Sequence, residues 1–220
     1  LCSAISAAGA LLNYLEETQK NSLAHIRKIS VLRRTLYMGL DASTRRNLEL
    51  TQPLRFEGSK KSTLLYLLDK TATAMGARLL RAWLEQPLQN MDDINARLDA
   101  VEELFKKQHA RETLRSALNS IYDIERLCSR IAYGTVHARD CDALRASLSH
   151  LPEVLEAVAA LEAPEFRRIA ANLDPMDDIA ALLNAAIVES PPLSVKEGGV
   201  IRDGFNAEVD SLREAARNGK

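Results

Sequence analysis

With 220 residues, 46% of them hydrophobic and 27% charged, the chain has the make-up of an ordinary globular protein with room for one large domain or two small ones. A net charge of −1 excludes a strong global attraction to nucleic acid, and an abundance of Leu and Ala with 5% aromatics favours helix over strand. Three cysteines without a CxxC pair argue against a disulfide scaffold and for a reducing, cytoplasmic setting, and no apolar run approaches the ~20 residues that a bilayer span needs.

A first helix is predicted over about residues 3–19, with Ile5, Leu11, Leu12 and Leu15 forming a stripe beside Tyr14. It lacks the basic n-region of a signal peptide and reads as a helix cut from a longer chain. Ile29–Arg33 and Leu36–Leu40 alternate briefly and are expected to form two short strands. Asp41 or Ser43 then caps a short helix carrying Leu48 and Leu50 on one face. A loop over Pro53–Lys61 leads to a helix at Ser62–Asp69, and Thr71 or Thr73 starts the next, which Pro87 ends. Asn90 looks like the cap of a helix whose Ile94, Leu98, Val101, Leu104 and Phe105 are expected to be buried. That arrangement leaves Glu102, Glu103, Lys106 and Lys107 in water.

Asp123 is the expected cap of a helix ended by Gly134, and Asp140 begins another that Pro152 should restart or kink. A helix over Asp177–Val188 precedes a loop marked by Pro191-Pro192 and Gly198-Gly199. Val200-Ile201 is a candidate short strand, and Asn206 caps a final helix still running at Lys220. The expected fold is therefore mainly α: a multi-helix core with a long projecting helix and at most a few short strands.

The charge is unevenly distributed. Residues 1–90 hold 13 basic and 7 acidic side chains, whereas residues 91–220 hold 16 and 23. Arg33, Arg34, Arg45 and Arg46 are accordingly the candidates for weak proximity to DNA. GSKKST at Gly58–Thr63 imitates a phosphate-binding loop, but the glycine five residues before Gly58 is replaced by Pro53 and no apolar strand precedes it. Cys128, His137 and Cys141 lack a fourth ligand of suitable spacing for a structural zinc site. No catalytic, cofactor-binding or metal-binding residue is identified.

Five segments carry a resemblance: LDASTRRNLEL (40–50), TATAMGARLLRAWLEQPL (71–88), INARLDAVEELF (94–105), IYDIERLCSRIA (121–132) and GGVIRDGFNAEVDSLREA (198–215). In this order and at about this spacing they resemble the core domain of the MutS family of DNA mismatch-repair proteins. The resemblance implies a helical core over residues 1–203 and the start of a lever helix over 204–220 leading towards a DNA clamp. It also implies a parent that is a DNA-dependent ATPase, with ATP and magnesium as its cofactors. That parent would hold DNA through clamp and mismatch-binding parts and would pair with a second MutS-like subunit, with no membrane involved. Walker motifs and a mismatch-intercalating Phe-x-Glu context are absent from this sequence, so the chain itself is expected to be no enzyme. The rival reading is a free-standing helical adaptor offering an apolar groove to partner helices.

Six residues are candidates for structural or relay roles. Asp41 would cap its helix, and Asn47 would bond nearby backbone. Gly76 inside a helix suits a close helix–helix approach, its ~1 kcal/mol penalty against Ala being offset there. Arg97 is a candidate for a partly buried pair with a carboxylate, and Asp123 and Arg126, three apart, for a pair on one helical turn.

Overall fold

The computed structural model describes residues 2–18, 26, 28, 36–55, 59–193 and 195–218. The expected strand at 29–33 and the candidates Arg33 and Arg34 lie outside these residues. Two compact units are present, residues 1–33 and 34–220. In the first, α1 (Cys2–Thr18) has Asn13 donating to Glu17 at 3.0 Å, and its Ile5, Leu11 and Tyr14 are exposed.

The described residues of the second unit are mainly helical. It holds α2 (Ala42–Asn47), α3 (Leu64–Leu68), α4 (Ala74–Glu85), α5 (Met91–Lys106), α6 (Gln108–Asn119), α7 (Ile124–Ala132), α8 (Ala138–Ala159), α9 (Pro164–Asn172), α10 (Asp177–Ala186) and α11 (Ala207–Asn218). Where strands were expected at 36–40 and 200–201, single antiparallel bridges form instead: Tyr37 with Leu88, and Ile187 with Ile201. Each bridge fastens a loop to the end of a helix, Met38 N–H donating to Pro87 at 2.8 Å and Arg202 N–H to Ala186 at 2.8 Å.

Local capping chemistry sets most boundaries. Asp41 accepts from Thr44 N–H at 2.6 Å, Thr73 from Gly76 N–H at 3.0 Å, and Asn206 from Glu208 and Val209 N–H at 3.0 and 3.1 Å. Thr63 caps α3, which begins at Leu64 rather than at Ser62, through Tyr66 N–H at 3.2 Å. α2 stops at Asn47, so Leu48 and Leu50 do not share its face; Leu50 is buried beyond the helix and Leu48 is exposed. At the end of α7 Gly134 takes φ +67°. Its N–H bonds to Ile131 while Thr135 N–H reaches back to Arg130, a Schellman closure that a side chain at 134 would strain.

α8 is the central helix, with α6, α7, α9 and α10 packed around it. It begins two residues before Asp140, whose carboxylate accepts His137 N–H at 3.0 Å from inside the first turn. It also continues through Pro152 as one element. Val154 and Val158 of α8 join Ala100, Ala117, Ile121, Leu161 and Phe166 in the main core, and Leu144 and Leu148 join Leu127 in a second. Two helices in this arrangement, α6 and α9, were not among the expected elements. α6 has a legible stripe in Ala110, Leu114, Ala117 and Leu118, and α9 an N-terminal Pro164 ahead of Phe166 and Ala170.

The buried face of α5 differs from the expected one. Leu98, Val101 and Phe105 are 59%, 64% and 79% exposed, while Ala100 is buried and the Glu103 side chain is only 11% exposed. At 3.6 residues per turn Leu98, Val101 and Phe105 lie on the far side of the helix from Ala100 and Glu103. Both faces carry apolar residues, and the one turned inward is the one whose carboxylate finds donors.

Candidate functional site

The polar residues that join distant helices form the candidate site. One node is Glu103, on α5. Its carboxylate accepts the backbone N–H groups of Glu162 and Ala163 at 2.8 and 2.7 Å and the Lys107 ammonium at 2.8 Å. Ala163 precedes α9 and has no side chain able to cap it, so an acid from another helix performs that task. Burial pushes the Glu103 carboxyl up, but Lys107 and the two N–H groups outweigh burial and hold it at about 2. The spacing along α5 placed Glu103 in water; its side chain is instead largely buried, and its acceptor role for a segment 60 residues away carried no signal.

Asp123 caps α7 through Arg126 N–H at 3.2 Å. Its charge partner is not the Arg126 side chain but Arg78 of α4, which binds both carboxylate oxygens at 2.9 and 2.6 Å and also Glu125 at 2.6 Å. The Arg78 bonds hold the Asp123 carboxyl below its ordinary range. A guanidinium forks between two acids only where the helix axes bring it there, so i,i+3 spacing on α7 could not reveal it.

Arg97 also takes an unexpected partner. Its guanidinium lies over the Trp83 ring at 3.7 Å from the centroid, so α4 and α5 are joined by a cation–π contact. No carboxylate among the described residues lies in ion-pair contact with Arg97, although its charge helps hold the Glu165 carboxyl down behind the dominant Arg168 bond. At Gly76 the neighbours are local rather than a second helix. A Cβ would meet the Thr73 hydroxyl oxygen at 3.1 Å and Thr71 at 3.4 Å. Gly76 therefore makes room for the cap of its own helix.

Asp41 acts as the expected cap, and Thr44 N–H lowers its carboxyl pKa. Asn47 ends α2 in an exposed position, with no side-chain hydrogen bond among the described residues. Arg45 and Arg46 occupy the last turn of α2, both exposed, with Arg46 reaching the Leu54 carbonyl at 3.5 Å. Ser147, unremarked in the sequence, is fully buried in α8; it accepts Tyr122 N–H at 3.0 Å and donates to Ala143 at 2.8 Å, tying the loop before α7 to the core.

The basic stretch at 59–63 does not fit a nucleotide. Ser59 accepts Lys61 N–H at 3.2 Å and the Ser62 hydroxyl donates to Ser59 at 3.0 Å, so these hydroxyls close a 3-10 turn instead of facing a phosphate. Cys128 is exposed and Cys141 half-buried. No group of three or more His, Cys, Asp or Glu among the described residues is placed to hold a metal ion. No helix among the described residues is long and apolar enough to cross a membrane.

The arrangement is that of a helical scaffold whose members are fixed by charge-assisted hydrogen bonds between elements far apart in sequence. The family model for MutS domain III matches residues 43–218, and the chain belongs to that family. It is 49% identical over 217 residues to the DNA mismatch repair protein MutS of Ruminiclostridium cellulolyticum, covering 99% of this chain and 25% of that protein. The corresponding proteins of Lachnoclostridium phytofermentans and Pelotomaculum thermopropionicum are each 48% identical, over 98% and 99% of this chain and 23% and 25% of their own. The chain thus spans about a quarter of the length of the curated relatives it matches. These matches favour a MutS core over a free-standing adaptor.

Proposed function

We propose that this chain is the structural and transmission core of a cytoplasmic DNA mismatch-repair protein. Residues 1–203 form its helical body and residues 204–220 the root of a lever helix. In a longer polypeptide like its relatives, it couples the state of an ATPase part to clamp and mismatch-binding parts that hold DNA, with a second such subunit. ATP and magnesium are bound elsewhere in that polypeptide. The observation that carries the reading is the match to MutS domain III over residues 43–218, a stretch that includes both the α8-centred core and α11. Transmission requires elements that move as units, and the long-range bonds of Arg78, Arg97 and Glu103 supply that stiffness.

The test substitutes Arg97→Ala and Arg78→Ala in the longer protein, with exposed Lys106→Ala as control. The expected outcome is an unchanged ATPase without DNA and a reduced response to mismatched DNA for the first two variants only. Wild-type response in both folded variants refutes the relay. The 220-residue chain alone is expected to bind DNA weakly, through residues such as Arg45 and Arg46, with a steep loss on raising salt. Tight binding that prefers a mismatch contradicts the reading.

A further inference from the structure

α11 leaves the body without burying a single residue, and its Leu212 is 63% exposed. Val209 is its one half-buried apolar side chain, so apolar packing contributes little to its direction. What faces back towards the body is Arg213, on the second turn of α11, with a side chain only 22% exposed. One nitrogen of its guanidinium donates to the Ile201 carbonyl at 2.8 Å. Another binds Asp203 at 2.7 Å and lies 3.5 Å from Asp210. Asp210 in turn accepts the Gly204 N–H at 2.8 Å, closing the turn that leads into the helix.

Ile201 is itself anchored. It bridges Ile187 at the end of α10, with Val188 N–H donating to Val200 at 3.1 Å and Arg202 N–H to Ala186 at 2.8 Å. α10 packs on α8, the centre of the body. A continuous path thus runs from α8 through α10 and the 187–201 bridge to a single guanidinium on α11.

We infer that Arg213 is a positioning residue that fixes the angle at which α11 leaves the core. The inference rests on the transmission reading above and names the joint through which it passes. A planar guanidinium suits the role because it bonds in two directions at once, to a backbone carbonyl on one side and a carboxylate on the other. An ammonium is a compact charge without the rigid planar fork, so it holds the two acceptors in a less fixed geometry.

The test places nitroxide labels at Ser149→Cys on α8 and Ala216→Cys on α11, both exposed positions, in a background of Cys2→Ser, Cys128→Ser and Cys141→Ala. With Arg213 the inter-label distance distribution is expected to be narrow, and Arg213→Lys and Arg213→Gln are expected to broaden it about twofold with an unchanged far-UV spectrum. A merely structural role would lower thermal stability without changing the width below the transition. An unchanged width in folded Arg213→Gln overturns the inference. Should Arg213→Gln not fold, Asp203→Ala decides, since Asp203 is 80% exposed and its loss removes only that carboxylate arm. Broadening in that variant supports the inference and a wild-type width overturns it. In the longer protein, a broadened α11 with a normal response to mismatched DNA keeps the role of Arg213 and refutes transmission through it.

Discussion

Replacing Glu103 by Gln keeps the size of the side chain and removes its charge. The folded carboxyl titrates at about 2 against an ordinary 4.5. At about 1.4 kcal/mol per pH unit that displacement is worth about 3 kcal/mol at neutral pH, as a ceiling. Gln retains one amide oxygen, so one of the two N–H groups of Glu162 and Ala163 keeps an acceptor while the other faces an NH2. Losing one charge-assisted bond and weakening another corresponds to about 2 kcal/mol, or about 4–8 °C in melting temperature for a domain of this size. The pH dependence carries the diagnosis. Because the folded pKa is depressed, the contribution is complete above about pH 4.5 and is lost as pH falls towards 2. The difference between wild type and Glu103→Gln, followed by thermal circular dichroism, should shrink by more than half between pH 7 and about pH 3. A difference that stays constant across that range, or a variant as stable as wild type at pH 7, refutes the assignment of Glu103 as the charged cap of α9.

Other contacts give further expected outcomes. Thr73→Ala should destabilise the chain by about 1 kcal/mol through loss of the α4 cap. Gly76→Ala should be more favourable in that background than in wild type, by up to about 1 kcal/mol, because the hydroxyl it crowds is gone; a thermodynamic cycle from chemical denaturation reads the difference. Asp123→Ala should destabilise more than Arg78→Ala, since it removes the α7 cap together with the ion pair. Asp123→Asn should recover most of the cap, and equal melting temperatures for the two alanine variants contradict this. Arg97→Ala should shift the emission of Trp83, the one tryptophan in the chain, and reduce stability by about 0.5–1 kcal/mol; unchanged fluorescence argues against the stacked contact.

The features that the sequence determined by itself are those decided within a few residues. Asp41, Thr73, Asn90, Asp123 and Asn206 each cap the helix that follows, because a short acceptor side chain meets N–H groups two or three positions on whatever the rest of the chain does. Gly134 stops α7 for the same local reason, and the family was legible because its landmark segments stand in order along one strand of sequence. Tertiary structure alone decided which side of α5 turns inward, since Leu98, Val101 and Phe105 form as good a stripe as the face that holds Ala100 and Leu104. It also decided the partners of Glu103, Arg78, Arg97 and Arg213. Each bonds to a group 10 to 60 positions away or across a helix crossing, and the pairing depends on where two helix axes meet, a quantity no spacing within one helix contains.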